Sequence, residues 1–295
     1  MEVLRYSADM SAGLAASYNR LVHGLPYCYP VTAREFASAA QVDDEASRSG
    51  LAHDAVLVAV DGSAPLGFLH VAVTSNDDDP QGLTRFFWYD RGQRVAGQAL
   101  LVAAEEHVRA HGADQMEVFH QNHRYPIYHM RHVWGSDRLE HVHALLHHND
   151  YRRRHGEIYL DWPDYDPIAP ATVDIAFDIG VEWETGGGSR KNLRVKAVRD
   201  GEMIGECHSD SCGEYSRVDE AQDRIYTVGL GVEREFQGKG LGRHLMRRSL
   251  VEARDAGYRH AVISTNQENH RARLFYSNFG YHPVDWTYSL YRRFD

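Results

Sequence analysis

The sequence predicts an α/β protein with a mixed sheet, built as two tandem domains of one fold. Three observations lead there. Strand-like and helix-like hydrophobic patterns alternate along the whole chain. The order strand, glycine-bearing turn, helix, strand, helix occurs once in each half. The length, 295 residues, is large for one core and suits two of about 150 each. The predicted domains are residues 1–160 and 171–295. Tyr159 to Pro170, with three prolines among acidic residues, reads as the linker.

In the first half the pattern predicts a strand at Val3 to Tyr6 and helices at Met10 to Leu25 and Thr32 to Ala46. Strands follow at Val56 to Val60, Phe68 to Val73 and Thr84 to Tyr89. Next come the turn Arg94-Val-Ala-Gly97-Gln-Ala99, a helix at Leu100 to His111 and a strand at Gln115 to His120. A helix near Arg138 to His148 ends in Asp150-Tyr151, and the run Asn76 to Pro80 reads as a solvated loop. The second half predicts strands at Val173 to Trp183, Leu193 to Val198 and Met203 to Ser209, the first two joined through Gly186-Gly187-Gly188. A strand at Ile225 to Val232 leads into a helix at Leu241 to Ala256, whose Leu241, Leu245, Met246, Leu250 and Ala253 form one apolar stripe. A strand at His260 to Thr265, a helix at Asn269 to Phe279 and a strand at Trp286 to Tyr291 complete it.

The turn before that helix carries the chemistry. It reads Val232-Glu-Arg-Glu-Phe-Gln-Gly-Lys-Gly-Leu-Gly242. Glycines let a backbone approach a ligand closely, and a helix start presents free N–H groups and a positive dipole end, so the turn is a pyrophosphate cradle. It is not a P-loop, because Lys239 is followed by Gly240 where Ser or Thr would hold magnesium. It is not a dinucleotide fingerprint, because Arg243 stands where the third glycine belongs. The spacing that fits is Gln-x-x-Gly-x-Gly, on Gln237, Gly240 and Gly242, which resembles the acetyl-CoA-binding motif of the GCN5-related N-acetyltransferase (GNAT) family. Asn269-His-Arg-Ala-Arg-Leu-Phe-Tyr276, followed by Gly280-Tyr281, is similar to the last helix of that family and the turn that ends it. Asn269 and Tyr276 are seven residues apart, two helical turns, and so share a face.

The resemblance implies two tandem acyl-CoA N-acyltransferase (GNAT) domains and a transferase that moves an acetyl group from acetyl-CoA, its co-substrate, to a primary amine by direct attack. It implies that Gly238, Lys239, Gly240, Leu241 and Gly242 hold the pyrophosphate and that the strand ending in Leu230 and Val232 pairs with the pantetheine arm. Tyr276 would protonate the leaving thiolate and Asn269 would orient the cofactor chain. Glu206 and His208, alternating onto one face of a strand, are the candidate bases, with loss of the proton through water as the alternative. The first copy reads as degenerate for catalysis. Aligned on the final helices, Leu146 faces Tyr276, Leu139 faces Asn269, and Ala96 and Ala99 replace Lys239 and Gly242. The layout is similar to that of mycothiol synthase, with no residue that singles out that substrate. Between its first two strands the second copy has only Glu184 to Asn192 where the family carries two helices, so its acceptor pocket is expected to be open on that side.

Composition bounds the alternatives. A net charge of −10 argues against a nucleic-acid partner and favours a cationic acceptor, a small-molecule or peptide amine. The start has no signal-peptide pattern and no stretch reads as a membrane span, and Cys28, Cys207 and Cys212 do not form a disulfide framework, so the expectation is cytoplasmic. The 19 histidines lack metal-ligand spacing, and no metal is predicted. The first copy's histidines instead gain charge below about pH 6.5. A monomer or a homodimer fits the duplicated layout. The reading from a different class is a non-catalytic acyl-CoA-binding sensor or scaffold.

Overall fold

The computed structural model describes residues 1–41, 50–75, 78–123 and 125–294. In chain order the elements are β1 (Glu2–Arg5), α1 (Ser11–Val22), α2 (Ala33–Ala40), β2 (Leu51–Asp61), β3 (Ala64–Thr74), β4 (Gly82–Tyr89), α3 (Arg94–Ala110), β5 (Gln115–Val118), β6 (Gly135–Ser136), α4 (Glu140–His148) and β7 (Arg152–Trp162). There follow β8 (Asp178–Glu184), β9 (Asn192–Arg199), β10 (Glu202–Ser211), α5 (Asp219–Gln222), β11 (Arg224–Val232), α6 (Leu241–Asp255), β12 (His260–Asn266), α7 (His270–Ser277) and β13 (His282–Arg293). They pack as two units, Met1–Glu157 with Asp285–Asp295, and Ile158–Val284. Among the described residues no helix is long and apolar enough to cross a membrane.

In the first unit β1, β2, β3 and β4 run antiparallel in that order, β4 pairs parallel with β5, and β13 pairs antiparallel with β5 from Leu290↔Val118 to Arg293↔Gln115. Thr32 starts α2 with a reciprocal cap: its hydroxyl accepts from Glu35 N (3.2 Å) and Glu35 Oε2 accepts from Thr32 N (2.7 Å). Such a cap contributes about 1 kcal/mol. The helix closes at Ala40, and residues 42–46 of its predicted extent lie outside the described residues, as do Asn76 and Asp77 of the predicted loop. Tyr18 of α1 and Phe36 of α2 pack on Phe86 and Trp88 of β4 at ring separations of 6.1 and 6.0 Å, and all four are fully buried. The two helices therefore cover one face of the sheet with aromatic rings.

In the second unit β8, β9, β10 and β11 form an antiparallel run, β11 pairs parallel with β12, and residues 158–162 of β7 lie beside β12. Leu241, Leu245, Met246, Leu250 and Ala253 of α6 are buried against β9, β10 and β11. Gly205 makes this close approach possible, since a Cβ there would lie 2.9 Å from Leu245 Cδ1. Truncating Leu245 to alanine would cost about 2–5 kcal/mol. A hairpin joins β8 to β9 directly, so among the described residues no helices stand between these strands as α1 and α2 stand between β1 and β2.

Two predicted boundaries differ from the structure. The predicted linker begins inside β7: Ile158, Tyr159 and Leu160 are buried, Tyr159 stacks on Tyr226 (6.3 Å), and Asp161 accepts from Arg224 Nη1 (3.2 Å). All three prolines follow the strand. The predicted second domain ran to the C-terminus, whereas the terminal segment from Asp285 packs in the first unit, where Asp285 Oδ1 accepts from Ser136 Oγ (2.9 Å). Pairing with a strand so distant in sequence leaves no local pattern.

Both units carry a bulge at the same register. On β10 and β11, His208 pairs with Gly229 and the next pair is Ser209 with Thr227, leaving Val228 extra. On β3 and β4, His70 pairs with Phe86 and the next pair is Val71 with Thr84, leaving Arg85 extra. On each bulged strand the parallel pairing to the next strand stops at the bulge. β11 and β12 pair only from Arg224↔His260 to Thr227↔Ile263, and β4 and β5 only from Gly82↔Met116 to Thr84↔Val118. Beyond Val228, β11 runs on with backbone groups that β12 does not pair.

Candidate active site

The end of β11 and the start of α6 make the mouth of a cleft. After Val232 a short turn, Arg234–Phe236, leads to Gln237, whose Nε2 donates to Val232 O (2.9 Å) and ties the loop to the strand. Gly238 and Gly240 have φ of 77° and 90°, conformations that side chains with a Cβ adopt only with strain. A Cβ built on either would meet nothing within 4 Å, so both face open space. Gly240 caps α6 without a side-chain partner, which leaves the first-turn N–H groups directed outward. Buried Leu241 anchors the helix start from below.

This mouth opens on a cleft of about 620 Å³. Of the predicted cofactor-binding residues, Leu230, Val232, Gln237, Gly238, Gly240, Leu241, Gly242, Asn269 and Tyr276 line it together. Lys239 does not: its ammonium lies over the Phe236 ring, 5.6 Å from the centroid. Asn269 caps α7, its Oδ1 accepting from Ala272 N (3.1 Å), so what it offers a ligand is its amide N–H. Tyr276 is 9% exposed and packs between Phe275 (5.4 Å) and Tyr281 (6.2 Å). Gly280, at φ 116°, turns the chain against Trp162 and seats buried Tyr281 behind it. Phe236, Arg243, Arg271, Ala272 and Phe275, to which the sequence assigned no binding role, also line the cleft. Arg243 and Arg271 put two cations beside a helix N-terminus in a chain of net charge −10, the local field an anionic ligand needs. Their position within the two motifs was the available signal.

The remaining candidates, Glu206 and His208, lie on β10 with Asp210, all three on the sheet face away from α6. They differ in their partners. Glu206 Oε1 accepts from Arg194 Nη1 (2.7 Å), and the same arginine donates through Nε to Glu184 (3.0 Å). His208 Nε2 lies 3.0 Å from Asp210 Oδ1, while Asp210 Oδ2 accepts from the Tyr215 hydroxyl (2.7 Å). Across the ladder, Glu206 faces Gly231 and His208 faces Gly229, and a Cβ on either glycine would meet nothing within 4 Å. Cys207 points to the α6 side, where burial pushes its thiol up to about 11 and leaves it a packing group.

The first unit fills each corresponding space. Phe86 and Trp88 occupy the register positions of Gly229 and Gly231. A Cβ on Gly97 would fall 2.3 Å from the Tyr89 ring, and the Tyr89 hydroxyl donates to His141 O (2.6 Å), so the start of α3 is covered. Leu139 sits at the N-cap of α4 with no side-chain bond, as Asn269 does at α7 with one, and Leu146 is fully buried.

The acetyltransferase (GNAT) family model matches residues 157–281, which contain the cleft. Residues 157–281 are thus a GNAT acetyltransferase unit by this match. No curated protein sequence matches it. Among solved structures, the chain is similar to a tandem GNAT protein from the clavulanic acid biosynthesis pathway, solved without AcCoA: TM-score 0.72, 15% identity, 99% of this chain and 98% of that one. It is also similar to a GCN5-related N-acetyltransferase from Sphaerobacter thermophilus, at TM-score 0.62 and 13% identity over 99% and 95% of the two chains. A third likeness is to a glucosamine N-acetyltransferase region of a fungal multi-domain GH3 β-N-acetylglucosaminidase, at TM-score 0.66 and 15% identity over 99% and 38%. At these identities the likeness is one of fold, a tandem pair of units, and the family match, with the acyltransferase assignment it supports, covers residues 157–281.

Proposed function

We propose that this GNAT protein transfers an acetyl group from acetyl-CoA to a primary amine, and that the second unit does the chemistry. The observation that carries the reading is the convergence, in one cleft, of an uncapped helix start behind two positive-φ glycines, the unpaired end of β11, and the Tyr276 side chain. The fit to acetyl-CoA is direct. Outward N–H groups with Arg243 and Arg271 suit its phosphates, and the parted strands leave main-chain donors and acceptors for an amide-bearing arm. When bound, acetyl-CoA supplies an acetyl group already activated as a thioester.

The chain's own residues then have distinct tasks. N–H groups at 238–242 hold the pyrophosphate, and β11 from Leu230 to Val232 aligns the arm beside them. A main-chain N–H near Leu230 or Gly231 donates to the oxygen on which charge builds. Tyr276 delivers a proton to the departing sulfur from a phenol held in place by its neighbours. The acceptor approaches over Gly229 and Gly231, on the face that carries Glu206, His208 and Asp210. That description fits a small metabolite, an antibiotic-type amine or a protein amino terminus. The first unit serves as a non-catalytic copy, because aromatic side chains occupy the spaces that the second leaves open.

Calorimetric titration with acetyl-CoA tests the reading. One site per chain, lost in Gly240→Asp, is the expected result, followed by thiol release on addition of amines. No binding at millimolar acetyl-CoA would overturn it. Binding without any transfer would favour the sensor reading.

A further inference from the structure

We infer that His208 is the general base of the transfer, positioned by Asp210, and that Glu206 is not; this rests on the function proposed above. An amine acceptor enters as an ammonium and has to lose a proton before it attacks. The base must therefore border the space where the acceptor sits and have a nitrogen or oxygen to spare. Opposite Glu206 and His208 on β11 stand Gly231 and Gly229, whose Cβ positions meet nothing within 4 Å, so the space there abuts both side chains.

The two candidates separate on their partners. Glu206 is tied to Arg194, which also holds Glu184, and a proton bound there would break a charge-assisted hydrogen bond of 2.7 Å. His208 has the opposite arrangement. Its Nε2 lies against Asp210 Oδ1 at 3.0 Å, and the aspartate, 7% exposed, is fixed from its other side by Tyr215 at 2.7 Å. With the proton on Nε2, directed at Asp210, the lone pair is on Nδ1, which accepts from no described residue. A carboxylate at Nε2 then stabilises the imidazolium that proton uptake creates. The charged or titratable groups about His208 are Arg194 opposite it on β9, Glu206 and Asp210 beside it on β10, Tyr215 bonded to Asp210, and Tyr226 of β11 opposite Asp210; directly across from His208 β11 places Gly229.

The internal duplication supplies a control. His70 stands at the same register in the first unit and also has an aspartate partner, Asp54 Oδ1 at 2.6 Å. There Phe86 replaces the facing glycine, the ring is fully buried, and burial lowers its pKa. The histidine–aspartate pair is thus present twice and open to an acceptor once.

The step balances as follows. His208 Nδ1 takes one proton from the ammonium, the amine nitrogen bonds to the acetyl carbon as the carbon–sulfur bond breaks, and the sulfur takes a proton from Tyr276. The second proton lost by nitrogen and the one held by His208 pass to water and back to Tyr276, so one proton is released in all.

The test compares two small nucleophiles, methylamine, which is protonated at neutral pH, and hydroxylamine, which is largely neutral and needs no base. Thiol release from acetyl-CoA is followed after subtraction of the uncatalysed rate. His208→Gln should slow transfer to methylamine by on the order of 10²–10⁴-fold while leaving hydroxylamine within a fewfold of wild type. Asp210→Asn should show the same selectivity more weakly, and Glu206→Gln should slow both nucleophiles alike or neither. Acetyl-CoA affinity, measured by calorimetry, should be unchanged in all three. Equal slowing of both nucleophiles in His208→Gln, or selective slowing in Glu206→Gln, overturns the assignment. Wild-type protein that binds acetyl-CoA but transfers to neither nucleophile overturns the proposed function itself, and this inference with it.

Discussion

Two glycines two residues apart in the cradle should respond to alanine with opposite changes in stability. Gly240 has φ of 90°, and no neighbour stands within 4 Å of its Cβ position, so Gly240→Ala meets no steric clash and its cost is backbone strain alone. That strain is about 1–2 kcal/mol, a fall in Tm of roughly 3–8 °C for a unit of this size. Gly242 lies in the first turn of α6 without a positive φ, and its nearest contact, Val232 Cγ2 at 3.6 Å, is an ordinary one. Gly242→Ala replaces the poorest ordinary helix former by the best and should stabilise by about 0.5–1 kcal/mol. Both positions line the cleft, so both methyls should weaken acetyl-CoA binding, by about tenfold if each displaces one charge-assisted hydrogen bond of about 1.5 kcal/mol. Thermal unfolding and calorimetry on the same two variants separate the effects. Equal destabilisation by both would refute the backbone argument, and unchanged affinity in both would refute the placement of the ligand.

The other predictions follow from neighbouring sites. Tyr276→Phe should lower kcat by at least about tenfold with acetyl-CoA affinity nearly unchanged, and full turnover would remove the phenol from the mechanism. Gly229→Phe, which copies the residue at that register in the first unit, should abolish transfer while acetyl-CoA still binds, since the Cβ enters open space on the face away from the cleft; undiminished transfer would place the acceptor elsewhere. Acid should weaken the first unit. Burial holds His143 and His123 at about 4, against about 6.5 when unfolded, so the unfolded chain takes up protons that the folded one does not. Stability is then full above about pH 6.5 and falls as pH drops toward 4, by about 3 kcal/mol for fully buried His143 alone. Denaturant unfolding of wild type and His143→Gln across that range checks it, and an identical pH slope in both would exclude His143.

The cradle was legible because its requirements are local. Positive φ at Gly238 and Gly240, an apolar stripe starting at Leu241, and the spacing of Asn269 from Tyr276 are each written within a few residues. What escaped the sequence depends on contacts made across it. The strand Arg152–Trp162 hides because its first residues are three exposed arginines and a histidine, and because prolines crowd its end. The return of Asp285 onward to the first unit is set by pairing with β5, which no periodicity encodes. Phe236 and Phe275 read as ordinary core aromatics until the cleft between them is seen.

The bulge is the deepest of these hidden features, because it decides what each copy is able to do. Both copies place a histidine one step before it and an aspartate against that histidine. In the first unit the bulged residue is Arg85, 6% exposed, whose Nε donates to His123 O (3.2 Å), and the residues that follow on the open-face register are Phe86 and Trp88. In the second it is Val228, followed by Gly229 and Gly231. The geometry that parts the strands is therefore shared, while the side chains hung on it are not. One set of large rings, covered by two helices, makes a core that excludes ligands. Two glycines and the absence of those helices leave the same framework open, at the cost of the apolar burial the first unit gains. On the function proposed, the copy with a filled face and the copy with an open one differ by where the aromatic mass was placed, and restoring it at Gly229 alone should be enough to silence the second.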